Sequence, residues 1–203
     1  MPSLSLSVNQ LTAETRKAAL GKGASYGMAD DIARAVEWLA HYGHVPSDEL
    51  SRYLCASSEA QPKEPQIADN AIKITGKIGL ADVAVGLDYL EAFARPALSL
   101  TDMLYPCLSL ALAHLRQSPM FGRFTDEAGQ TLDVICTNQA KMPIDITLQL
   151  QAFISQDAPP YPARVMIDAS AYQLLQQSAH HTYVPSSDSS RKAGAGAGLN
   201  DND

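Results

Sequence analysis

Residues 7–44 read SVNQLTAETRKAALGKGASYGMADDIARAVEWLAHYGH, and this stretch decides how the chain begins to fold. Ser7 followed three residues later by Gln10 is a capping-box start, with Val8, Leu11, Ala18 and Ala19 at helical spacing on one side. Gly21 ends that helix. Gly21-Lys22-Gly23-Ala24-Ser25-Tyr26-Gly27 then predicts a glycine-spaced turn, and a second helix follows from about Met28 to Tyr42. Its inward residues are Ile32, Val36, Leu39 and Ala40, with Asp30 and Asp31 in a first turn that favours acidic groups. Trp38 is read as a core anchor. Gly43 closes the helix, and Ser47 opens a third that ends near Cys55. The first 55 residues therefore predict a helical layer.

Outward from that layer the pattern changes. Residues 57–65 (SSEAQPKEP) are polar and proline-broken, a surface loop. Ala71 to Ile78, with Ile72 and Ile74 on one face, is a strand or an irregular segment. Ala81 to Ala94 predicts a helix carried by Val83, Leu87, Leu90 and Phe93 and stopped by Pro96. Across Tyr105 to Arg116 the alternation of Leu108, Leu110 and Leu112 predicts a strand, although Pro106 and the Ala/Leu content also suit a helix. Phe121–Thr125 and Thr131–Thr137 flank Asp126-Glu127-Ala128-Gly129-Gln130 as a hairpin. Ile146, Leu148, Leu150 and Ala152 alternate with Thr147, Gln149 and Gln151, the pattern of a strand with one wet face. Ala163 to Ile167 is a further strand, and Asp168 caps a helix to about Ala179 with Leu174 and Leu175 inward. The fold class predicted is α+β: an N-terminal helical layer, a mainly antiparallel sheet, a late helix and a Gly/Ala-rich C-terminal tail. Residues 1–182 form one domain and residues 183–203 the tail.

Composition bounds the function. The chain has 203 residues, 46% hydrophobic and 18% charged, enough to bury a real core. Fifteen Lys and Arg against 22 Asp and Glu give a net charge of −7. That charge disfavours nucleic acid as a partner, since no general positive field surrounds the chain. No apolar run approaches the roughly 18 residues of a membrane span. The start, Met1-Pro2-Ser3-Leu4-Ser5, has no basic n-region or apolar h-region, so no secretory signal is expected. Cys55, Cys107 and Cys136 are odd in number and lack CxxC spacing, and are read as small buried hydrophobes in a reducing cytoplasm.

Few residues suggest chemistry. The tail carries Ser186, Ser187, Ser189, Ser190, Arg191 and Lys192 before the alternation Ala193-Gly194-Ala195-Gly196-Ala197-Gly198. By composition alone it is a solubilising end. Glycine nevertheless lets a backbone approach a ligand and present bare N–H groups to an anion, with serine hydroxyls and Arg191 beside it. The turn Gly21-x-Gly23-x-x-x-Gly27 is neither a dinucleotide fingerprint nor a phosphate loop, because it joins two helices. It reads as a helix cap, though Lys22, Ser25 and the following helix start suit an anion. His41 and His44 lack a third ligand, so no metal site is expected. His180 and His181 precede the serines without any nucleophile elbow. Asp82, Asp88 and Glu91 read as a solvated helix face. No catalytic residue and no cofactor are identified.

The stretches Tyr183-Val184-Pro185-Ser186, Ser189-Ser190-Arg191 and Gly194 through Asn200-Asp201-Asn202-Asp203 resemble the ending of a bacterial family, domain of unknown function 3726. Gly21, Gly23, Gly27, Ala29, Asp30, Trp38 and Leu39 are similar to that family's opening. The resemblance supplies no activity, but it implies a tail that is docked rather than loose. The leading expectation is thus a cytoplasmic α+β protein that binds a small anionic molecule. The ligand is held by Arg191, Ser187, Ser190 and the backbone of Gly194 and Gly196, facing Gly23 and Ser25. The alternative is a non-catalytic interaction protein whose tail enters a protein partner or neighbouring subunit.

Overall fold

The computed structural model describes residues 2–41, 43–56, 61–68, 71–94, 98–116, 120–125, 131–136 and 162–182. The predicted strand at 146–152, the loop residues 57–60 and the tail lie outside them. The predicted α+β class holds, and among the described residues no helix is long and apolar enough to cross a membrane.

The chain opens with a strand that the sequence reading did not anticipate, β1 (Ser3–Ser7). It passes without a linker into α1 (Val8–Gly21), where Ser7 is the N-cap and its hydroxyl accepts the Gln10 N–H at 3.1 Å. The capping box is only half made. Gln10 sends its side-chain amide to the Tyr172 hydroxyl at 3.3 Å rather than back to the cap. Val8, Leu11, Ala18 and Ala19 are all buried as expected. α2 (Tyr26–His41) starts two residues earlier than expected, so Asp30 and Asp31 fall outside its first turn. There they meet cations instead: Asp30 pairs with Arg16 of α1. α3 (Ser47–Cys55) has the predicted bounds. Cys55 is exposed, against the expectation of a buried hydrophobe, because it lies on the open side of this short helix.

β2 (Gln66–Ala68) and β3 (Ala71–Ile74) form an antiparallel pair with Ile72 and Ile74 buried. α4 (Leu80–Ala92) follows, then β4 (Leu98–Leu100), α5 (Pro106–Leu115) and the hairpin β5 (Met120–Thr125) and β6 (Thr131–Cys136). These strands make one sheet in the order β2-β3-β4-β5-β6. β3, β4 and β5 are parallel, as α4 and α5 supply the crossovers that parallel neighbours require. The two outer pairings are antiparallel. Phe93 is 49% exposed rather than inward, since α4 ends at Ala92 before reaching it.

Residues 106–115 are a helix, not the strand that three alternating leucines suggested. Leu108, Leu110 and Leu112 are buried, but so are Ser109, Ala111 and Ala113 between them. A helix surrounded by protein has no polar stripe, so its 3.6-residue period leaves no trace in the sequence. Pro106 at its first turn suits a helix start.

β7 (Arg164–Asp168) returns to pair antiparallel with β1, Ser3 opposite Asp168 and Ser7 opposite Arg164. It runs directly into α6 (Ala169–His180). Asp168 stands at the N-cap, but its carboxylate makes no capping bond. Leu175 is buried and Leu174 half-buried. The first and last described strands are thus one paired unit, with α6 packed on α1 and α3.

Candidate functional site

Gly23 and Ser25 lie in one surface groove of about 570 Å³. α1 ends in a closed cap: the Gly23 N–H reaches the Leu20 carbonyl at 2.8 Å and the Ala24 N–H reaches Ala19 at 3.0 Å. Gly23 has φ +94°, the left-handed conformation this motif needs. The cap reading of the glycine turn is therefore what the chain adopts. Two residues on, the Ser25 hydroxyl accepts the Met28 N–H at 3.3 Å and so starts α2.

The groove's opposite wall is α4, through Ala81, Ala84, Val85 and Asp88, with Gln61 and Pro62 above it. Arg116, just past α5, supplies its cation. The guanidinium donates to the Asp31 carboxylate at 3.0 Å and also to Asp88. Partial burial opposes the charge on Arg116, but the two carboxylates outweigh it and its pKa is raised. Nothing in the sequence links these residues. Asp31 and Arg116 are 85 positions apart, and only the packing of α2 on α5 brings them together.

Lys22 does not join this site. Its ammonium donates to the carbonyls of Leu54, at 3.1 Å, and Ala56, closing the last turn of α3. Ser187, Ser190, Arg191, Gly194 and Gly196 lie outside the described residues. The point from which they depart is described, however. Gly21 packs so tightly on α6 that a Cβ there would sit 1.8 Å from the Ser178 carbonyl oxygen and 3.4 Å from Cβ of His181. The described chain thus runs to Thr182, one residue past the His181 that lies against Gly21 at the end of α1.

Two buried carboxylates also escaped the sequence reading. Asp82, expected on a solvated face, is 6% exposed. Its oxygens accept the N–H groups of Lys63 (2.7 Å) and Gly79 (2.8 Å) and the Lys63 ammonium (3.1 Å), fixing the 61–65 segment to the start of α4. Glu49 of α3 accepts the N–H groups of Cys107 (2.9 Å) and Leu108 (3.0 Å), capping α5 from another helix. Burial raises the pKa of Glu49, the two N–H groups and Arg52 pulling the other way. Burial and the Glu49 carboxylate drive the Cys107 thiol far up, so it stays protonated. His114 stacks on Trp38 with centroids 4.5 Å apart, and burial lowers its pKa and that of His44. Among the described residues no three His, Cys, Asp or Glu gather as metal ligands.

Residues 6–87 match the family described as "Protein of unknown function (DUF3726)". The DUF3726 match holds Gly21, Gly23, Gly27, Ala29, Asp30, Trp38 and Leu39, the residues behind the N-terminal half of the resemblance. It begins at Leu6 in β1 and ends at Leu87 inside α4, so it includes the turn and much of the groove's α4 wall but neither Asp88, Arg116 nor the tail. No curated protein and no solved structure matches the chain.

Proposed function

We propose that this chain binds a small anionic molecule, a phosphate or a carboxylate, in the groove between the α1–α2 turn and α4. In this reading Ser187, Ser190, Arg191 and the backbone of Gly194 and Gly196 complete the site. The observation that carries it is the place where the tail departs: His181 lies against Gly21, two residues from Gly23. Fully extended, the five residues from Thr182 to Ser187 would span at most about 17 Å and the nine to Arg191 about 30 Å, which bounds the reach of the tail. The ligand meets the start of α2, where helix N–H groups favour negative charge, and Arg116, whose exposed partner Asp88 gives way to it. The site binds a ligand, and no catalytic residue is assigned to it. It belongs to a cytoplasmic protein of a bacterium, in keeping with the free thiols of Cys55 and Cys107.

A thermal-shift series tests this, comparing the full chain with one ending at Tyr183 against phosphate, nucleotides and small carboxylates. A ligand at about 100 times its Kd adds about 2.7 kcal/mol of stability. The expected result is a raised midpoint for the full chain only, removed by Arg191→Ala and weakened by Arg116→Gln. No shift in either form, with an elution mass that changes on truncation, overturns it in favour of a tail that engages a protein partner.

A further inference from the structure

A second groove, of about 680 Å³, lies between α3 and α6 at the end of the molecule where α1, α3 and α6 all finish. Leu54 and Leu174, both half-buried, are the large apolar residues of a wall that also includes Gln177, Ser178, His180 and His181. The chain itself runs over the lip of this groove. His181 lines it, and Thr182 closes the helix by donating its N–H and hydroxyl to the Ala179 carbonyl at 3.0 and 2.7 Å. The next residues are Tyr183-Val184-Pro185, an apolar trio directly before Ser186-Ser187-Asp188-Ser189-Ser190. A residue before proline favours an extended backbone, and three extended residues reach about 10 Å.

We infer that the groove between α3 and α6 seats Tyr183-Val184-Pro185 of the same chain against Leu54 and Leu174. This deepens the proposed function, which needs a tail directed toward Gly23. A chain anchored here leaves along the end of α3, where Lys22 ties Leu54 and Ala56 to the α1–α2 turn. The anchoring itself requires no ligand.

Limited digestion of the full chain with chymotrypsin tests it, following release of the 184–203 fragment by mass in ligand-free buffer. A seated segment shields the bond after Tyr183, because a protease cuts only the opened form. The expected cleavage is at least about tenfold slower than in an isolated 179–190 peptide, an opening equilibrium of about one in ten. Leu174→Asp restores the peptide's rate, and Leu174→Ala, a milder change should the first variant unfold, restores part of it. Cleavage of the parent chain at the peptide's rate overturns the inference, as does slow cleavage that neither Leu174 variant alters. Shielding that fades on dilution also overturns it, assigning the groove to a second copy. Arg191→Ala leaves this cleavage unchanged while abolishing the anion shift, so the two readings fail separately.

Discussion

Glu49 shows how far one side chain can act in this fold. Its carboxylate satisfies two donors at the start of α5 from 58 and 59 residues away. Glu49→Ala strands both N–H groups in a buried place, and a loss of at least about 2 kcal/mol is expected in urea unfolding. The pH dependence follows from the raised pKa. The folded chain holds the Glu49 proton to a higher pH than the unfolded chain does, so this residue's stability contribution is complete below the ordinary carboxylate range. It is lost as pH rises through the raised value. Unfolding free energies from about pH 4 to about pH 8 are therefore expected to fall in the parent relative to Glu49→Gln, which carries no charge. Glycines offer a second contrast at this scale. Gly21→Ala drives a methyl into the backbone of Ser178, with an expected cost above about 2 kcal/mol, whereas Gly27→Ala meets open space in α2 and is neutral or stabilising by up to about 1 kcal/mol. Paired melting curves separate them.

At the scale of elements, the sequence was most legible where a helix or strand has one wet face. α2 buries Ile32, Val36, Leu39 and Ala40 and exposes its other side, so its period could be read directly. α5 is buried all round and misled the reading through its leucines. β1 was missed for a different reason. Ser3-Leu4-Ser5-Leu6-Ser7 is an alternating run of only five residues, and its partner β7 begins 157 positions after Ser7, opposite Arg164. Its burial is uneven, with Leu6 at 6% exposure and Leu4 at 41%. Leu6→Ala is expected to cost about 2–4 kcal/mol and Leu4→Ala less than about 1 kcal/mol, measured by denaturant midpoint. Equal effects would mean that Leu4 and Leu6 are not buried as unequally as described.

For the whole molecule, the family segment and the folding unit differ. Within residues 6–87, α1 packs on α6, α2 on α5 and β3 on β4, all partners beyond the segment, which stops inside α4. A chain of residues 6–87 alone is expected to lack a cooperative thermal transition by circular dichroism, while residues 1–182 show one, since the buried faces of α1 and α2 have no cover without the later elements. The candidate site divides in the same way. By itself the sequence determined the α+β class, the bounds of α3, the hairpin and a helix cap within the glycine turn that holds Gly23 and Ser25, because capping and half-buried periodicity are local and depend on neighbours a few residues away. Only the tertiary structure decided that α5 is a helix, that β1 meets β7, and that Asp31, Asp88 and Arg116 share the groove with Gly23. Those outcomes depend on which faces lose water together, and burial between distant segments leaves no pattern in the residues that take part in it.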